Sequence, residues 1–300
     1  MILEIFNVTK NIVTTKLSDL CGNVTCINIE EGLIFVDAGL LVNEVKKFKQ
    51  AMEKKFDKKT IFLILTHNHP DHIFGMKSFL NVPIIATNAC KIIIEEKLDT
   101  DFTSEGLKQF SEQYLQNMEF FKYMGITEQE VNEVAKFVDV EIKAPLIGFK
   151  DELILGNENE KIIIKHSGGH SLDSATIYMP SEEVLITGDE FYHSLVPLLG
   201  GLPESYENWF TALKNWENLS VKQVIPGHGS PIDYDYVSKA RQFVENMFDA
   251  LNELKEKNVD EEDILEDERL RNYYGKSNWK DDQWWKGNIK ALYKRLKNEK

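Results

Sequence analysis

Two periodicities run along this chain, and the switches between them mark its elements. Ile12-Val13-Thr14-Thr15, Val24 to Ile29 and Leu33-Ile34-Phe35-Val36 are short, β-branched-rich runs that predict strands. Gly22-Asn23 and Glu31-Gly32 supply the turns between them. Met1 to Phe6 reads as a first strand. After Gly39, apolar residues recur at Val42, Val45, Phe48, Met52 and Phe56, the spacing of a helix. Ile61 to Leu65 is continuously apolar, as suits a strand buried on both faces, and Val82 to Ala86 predicts the next strand. Residues 101–140 are polar and helical in pattern and carry Phe110, Tyr114, Met118, Phe121, Tyr123 and Met124, which predicts a helical insertion. A second β-rich half follows at 152–155, 161–165, 175–179 and 184–187, with a short last strand at Val224-Ile225. From Tyr236 the pattern is helical to the end, with Trp279, Trp284 and Trp285 as packing residues. The sum is an α/β chain with two sheets packed on each other and helices outside.

Composition narrows the functional classes. Hydrophobic residues make up 42% of 300 and charged residues 28%, enough apolar material for a sizeable core. No apolar run nears the roughly 18 residues of a bilayer span. The first residues lack a basic leader followed by an apolar stretch, so the expected location is the cytoplasm and no membrane partner is expected. A net charge of -14 counts against nucleic acid, and no Lys/Arg stripe stands out beyond Tyr293-Lys294-Arg295. The expected partner is a small-molecule substrate, with a homodimer left open. Cys21, Cys26 and Cys90 form no disulfide framework and read as buried, reduced thiols.

The chemistry concentrates where the 61–65 run ends. His67-x-His69-x-Asp71-His72 packs four potential metal ligands into six residues, in a chain with seven histidines. Imidazole with carboxylate suits zinc, iron or manganese, and the absence of nearby cysteine argues against a closed structural zinc site. Three more candidates each follow an apolar run and have glycine beside them: His170 in Ser-Gly-Gly-His, Asp189 in Thr-Gly-Asp and His228 in Pro-Gly-His-Gly. Loops at the ends of buried strands are where a rigid scaffold presents functional groups.

These four segments, in this order, resemble the metallo-β-lactamase superfamily, with a leaning to its glyoxalase II and lactonase branch. The resemblance covers about residues 1–235, which would form the metallo-β-lactamase-like domain with the insertion at about 101–140. Residues 236–300 would be a C-terminal helical extension. It implies an αββα sandwich and two divalent metal ions at one edge, zinc first, with iron or manganese as alternatives. By motif position, His67, His69 and His170 would hold one metal, Asp71, His72 and His228 the other, and Asp189 would bridge them. Asp37, in Phe-Val-Asp-Ala-Gly, matches an aspartate near the site and would orient the metal-binding loops. Two metals roughly 3.5–4 Å apart can share a bridging hydroxide near neutrality. That hydroxide would be the nucleophile, with Asp71 helping to orient it.

The expected reaction is hydrolysis of a small ester, thioester or lactone. Tyr192, three residues after Asp189, is similar to the tyrosine at that spacing in N-acyl homoserine lactonases and could donate to a developing oxyanion. The basic glutathione-binding residues of the glyoxalase-type thioesterase are not identifiable in the C-terminal helices. Two alternatives stand beside this reading: a sulfur dioxygenase-like oxidoreductase with one iron, and a phosphodiesterase or nuclease. Flavodiiron relatives place a carboxylate where this chain has His69.

Overall fold

The computed structural model of the chain describes residues 3–16, 18, 20–123, 126–137, 139–192, 203–270 and 283–298. The first sheet takes its strands in chain order: β1 (Glu4–Asn7), β2 (Ile12–Lys16), β3 (Thr25–Ile29), β4 (Gly32–Val36), β5 (Thr60–Ile64), β6 (Ile84–Thr87) and β7 (Ile147–Phe149). Pairing is antiparallel from β1 to β4 and parallel from β4 to β7. Parallel neighbours need crossover connections. These are α1 (Val42–Phe56), then α2 (Pro70–Ile73) with a 3-10 turn at Phe74–Phe79, then the run α3 (Asn88–Lys97), α4 (Ser104–Gln116), α5 (Met118–Tyr123) and α6 (Glu128–Val134).

The second sheet contains β8 (Glu152–Leu155), β9 (Ile162–His166), β10 (Ala175–Met179), β11 (Val184–Tyr192), β12 (Gln223–His228) and β13 (Ile232–Asp233), adjacent in the order β13-β12-β11-β10-β9-β8. Only β11 and β12 run parallel, and α7 (Pro203–Trp216) lies between them in the chain. Helices α8 (Tyr234–Glu256) and α9 (Gln283–Asn298) complete the described chain.

Strand alternation sorts each side chain into one of three cores. On β4, Ile34 and Val36 face the second sheet and meet Ile164, Ile177, Ile186 and Ile225, while Leu33 and Phe35 face the other way onto Phe48 and Met52 of α1 and Cys90 of α3. On the far side, Leu185 and Val224 pack against Trp209, Leu213 and Trp216 of α7, Val244 and Leu251 of α8, and Tyr293 of α9. Each fully buried side chain of this size contributes about 1.5–3 kcal/mol, so the strand ends that carry the site rest on a stiff frame. The layers are helix, sheet, sheet, helix, the expected αββα arrangement.

The aromatics of the insertion pack inward. Phe74 is met edge-on by Phe102, Phe110 and Phe137 at centroid distances of 6.1, 5.7 and 5.2 Å. Tyr114 stacks on Phe121 and meets Phe137 edge-on. The insertion thus braces the segment that follows His67 to His72.

Some elements differ from the sequence expectation. Strand β11 continues five residues past Thr187, through Gly188 and Asp189, with irregular register against β12. β12 likewise continues to His228. Asp189 and His228 therefore sit on strand ends and not on loops. The short edge strands β7 and β13 and helix α7 are additions, although Trp209, Ala212, Leu213 and Trp216 recur at helical spacing. Trp279 and the side chains of Trp284 and Trp285 lie outside the described residues. Among the described residues no helix is long and apolar enough to cross a membrane.

Candidate metal centre

The seven residues singled out in the sequence meet at one edge of the sandwich. His67, His69, His170 and Asp189 form one group and Asp71, His72, Asp189 and His228 a second, each with ligand-type atoms within 4.8 Å of one another. Asp189 belongs to both. Its Oδ2 lies 3.7 Å from His67 Nε2 and 3.5 Å from His170 Nε2, while its Oδ1 lies 3.0 Å from His72 Nε2 and 3.5 Å from His228 Nε2. Around these contacts, His170 Nε2 is 3.0 Å from His69 Nδ1, and Asp71 Oδ2 is 2.9 Å from His228 Nε2. His67 and His72 are fully buried and the His170 side chain is buried, whereas His69 and Asp71 are half-buried and form the open side.

Local structure explains the convergence. β5 runs out into Thr66, whose carbonyl accepts from Ala175 N of the second sheet at 2.8 Å, so the loop is pinned to both sheets. Pro70 then starts α2, fixing the backbone at the first helical position. The short helix turns Asp71 and His72 toward the second group. Gly188 has φ +51°, a left-handed conformation that carries the chain past Thr66. A Cβ at Gly227 would overlap Asp189 Oδ1, so only glycine lets β12 pass this close.

Asp37 is the hub beneath the site. It is buried and has φ +59°, a conformation stabilised there by its contacts. One carboxylate oxygen accepts from Thr66 N at 2.7 Å; the other accepts from Thr66 Oγ1 and His72 Nδ1, both at 2.8 Å. The Thr66 hydroxyl proton is committed to Asp37, so its oxygen accepts from His67 Nδ1 at 3.0 Å. His67 then carries its hydrogen on Nδ1 and turns its Nε2 lone pair to the site, and His72, with Nδ1 tied to Asp37, would present its Nε2 lone pair once a cation displaced the Nε2 proton. Among the described residues, the fully buried His67 Nε2 has no hydrogen-bond partner. An unsatisfied buried acceptor facing a carboxylate at 3.7 Å fits a cation between them.

The electrostatics agree. Burial opposes charge on His72, but Asp189, Asp71 and Asp37 outweigh it and hold the imidazole well above its ordinary value. Burial is likewise outweighed at His228, which Asp189 and Asp71 raise to about 9. Asp189 is held well below the usual carboxylate range, because His72 and His228 overcome its burial. In the first group, burial with His72 and His69 alongside pushes His67 well down, and burial takes His170 to about 4. The carboxylates of the second group thus recruit protons, which is the field a divalent cation would satisfy instead. Nitrogen and oxygen donors without sulfur suit zinc, iron or manganese.

Three supporting residues were not anticipated from the sequence. Asn23 donates from Nδ2 to Pro226 O at 2.9 Å and Gly229 O at 2.8 Å, and its backbone N donates to Gly227 O at 2.7 Å, clamping the His228 turn. Asp173 accepts from Asn68 N and Nδ2 at 2.9 and 3.0 Å, bracing the chain between His67 and His69. Glu190 accepts from three donors of the 167–170 loop, and burial pushes its carboxyl up to about 7 against them. Tyr192 ends β11 opposite His228, and its side chain lies outside the described residues. Burial holds the Tyr114 phenol of the insertion above its ordinary value, and Asp71 adds to the shift.

The sequence pattern of the metallo-beta-lactamase superfamily matches residues 19–228. The linear primary-alkylsulfatase of Pseudomonas sp. (strain ATCC 19151) is 23% identical over 222 residues, 69% of this chain and 41% of that protein. The type 2 metallo-beta-lactamase of Bacillus cereus is 26% identical over 239 residues, 76% of this chain and 77% of that protein. This chain thus spans less than half the length of the first and about three quarters of the second. In structure, the stereoselective inverting sec-alkylsulfatase Pisa1 from Pseudomonas sp. aligns with a TM-score of 0.67 at 15% identity, over 100% of this chain and 51% of that one. With the fold, the histidine-aspartate site and a match over more than two thirds of its length, the chain belongs to the metallo-β-lactamase superfamily.

Proposed function

We propose that this superfamily hydrolase cleaves a small ester, thioester or lactone with two divalent metal ions, zinc first, held by the two groups that share Asp189. The observation that carries the reading is the division of the Asp189 carboxylate, one oxygen turned to each group. His67, His69 and His170 would complete the first metal's ligands and Asp71, His72 and His228 the second's. When bound, such a pair supplies Lewis acidity toward the substrate oxygen and makes the intervening water more acidic.

The chain's own residues do the rest. Asp37 and Thr66 keep the His67 and His72 lone pairs aimed inward. Asp71, half-buried and hydrogen-bonded to His228, sits where it can orient an attacking water. Tyr192 enters on sequence grounds as a donor to the developing oxyanion.

A second reading, hydrolysis of alkyl sulfate esters, is favoured by one observation. The fold likeness to the sec-alkylsulfatase takes in the whole chain, α8 and α9 included, whereas the fold likeness to a solved metallo-beta-lactamase takes in 79% of it. The test is a panel of carboxylic esters, lactones, thioesters, alkyl sulfates, phosphodiesters and β-lactams, with metal analysis on the same sample. Turnover of a carboxylic ester, thioester or lactone with two metals per chain is expected. Exclusive turnover of alkyl sulfates selects the second reading. One iron per chain with oxygen consumption overturns both.

A further inference from the structure

Glu190 follows Asp189 on β11, and strand alternation sends the two side chains to opposite sides. Asp189 faces the histidines. Glu190 is fully buried on the other side, beneath the loop that carries His170. Its Oε1 accepts from Ser167 Oγ at 2.6 Å and Gly169 N at 2.9 Å, and its Oε2 accepts from His170 N at 3.0 Å. Three donors on one buried side chain offset the cost of taking it out of water.

The fit leaves little slack. A Cβ at Gly169 would overlap Glu190 Oε2, so the second glycine of Ser-Gly-Gly-His is the space the carboxyl occupies. From behind, Trp209 Nε1 donates to the Glu190 carbonyl at 2.8 Å, tying the residue to α7. Asn208 on the same helix donates to Gly168 O at 3.1 Å, holding the loop from a second point. His170 N is hydrogen-bonded to the residue that follows Asp189, so the backbone positions of two members of the first group are set by one side chain.

We infer that Glu190 is a positioning residue for the first metal: its carboxyl fixes the backbone of His170 relative to Asp189 and so sets the geometry of the His67, His69, His170 and Asp189 group. This rests on the two-metal reading above. Its side-chain hydrogen bonds end on the 167–170 loop, which supplies His170 to the first group alone, whereas the second group takes its other members from α2 and β12, so the first metal should feel the loss of the carboxyl more than the second.

The experiment titrates cobalt(II) into metal-free wild type, E190Q and S167A, following the electronic spectrum and counting bound ions by elemental analysis, with a thermal melt of each. E190Q keeps the shape of the side chain but turns an amide toward backbone N–H groups. The wild type is expected to bind two ions. E190Q should bind one with unchanged affinity and the other roughly 10–100-fold more weakly, the range for residues that orient metal ligands. S167A removes one of the three bonds and should weaken the same ion by a smaller factor; if E190Q does not fold, S167A alone decides. Wild-type affinity for both ions in the variants, or equal weakening of both, overturns the assignment. A wild type that binds fewer than two ions defeats the two-metal reading instead, which separates the two failures.

Discussion

Replacing Asp37 by Asn tests the support of the site without changing its shape. The wild-type carboxylate takes three hydrogen bonds, from Thr66 N, Thr66 Oγ1 and His72 Nδ1. An amide keeps one acceptor oxygen, and Asn tolerates the φ of +59° as Asp does. If the remaining oxygen keeps Thr66 N, the NH2 group faces two donors. Each buried donor left without an acceptor costs about 1–3 kcal/mol. The Thr66 hydroxyl can rotate to another acceptor, which leaves His72 Nδ1 as the one unsatisfied donor and a loss of about 1–3 kcal/mol. At about 2 °C per kcal/mol for a chain of this size, the melting temperature should fall by about 2–6 °C. His72 also loses the bond that fixes its ring, so the metal of its group should bind roughly 10–100-fold more weakly. Differential scanning calorimetry and zinc titration of both proteins measure these two effects. A variant that melts within about 1 °C of wild type and binds zinc equally would refute the role given to Asp37.

Other changes follow from the same geometry. Asn23→Ala removes two bonds to the carbonyls of Pro226 and Gly229; a loss of about 1–3 kcal/mol is expected by chemical denaturation, with kcat reduced through a displaced His228. Gly227→Ala drives a methyl into Asp189 Oδ1, so elemental analysis should find both metals depleted, since that residue serves both groups. All three thiols are buried, and burial raises Cys21 and Cys26 to about 12 and Cys90 well above its ordinary value. A thiol reagent at pH 8 should therefore label none of them in the native protein and three in denaturant; rapid native labelling would contradict the packing.

Four of the candidate ligands were legible because they are local: His67, His69, Asp71 and His72 lie on one turn of chain after an apolar run. The distant ligands were legible through the glycines beside them, which the structure explains at Gly188 and Gly227 by close approach. Asn23 and Asp173 left no such trace. Their bonds span 203–206 and 105 residues of chain, and nothing in a lone Asn or Asp marks a partner that far away. Glu190 carries no sign of its burial in the sequence, because Gly188, Asp189 and Glu190 interrupt the apolar pattern that identifies β11. Buried polar residues satisfied by loops are the class that periodicity misreads. In α7 the signal was present: Pro203 stands at the first helical position with Glu204 after it, and Trp209, Ala212, Leu213 and Trp216 recur at helical spacing.

The central claim is a pair of cations bridged by one carboxylate, and anomalous diffraction from crystals grown with zinc addresses it directly. Two peaks roughly 3.5–4 Å apart, one among His67, His69 and His170 and one among Asp71, His72 and His228, with an Asp189 oxygen on each, are the predicted result. A single peak, or two that leave Asp189 uncoordinated, would contradict it.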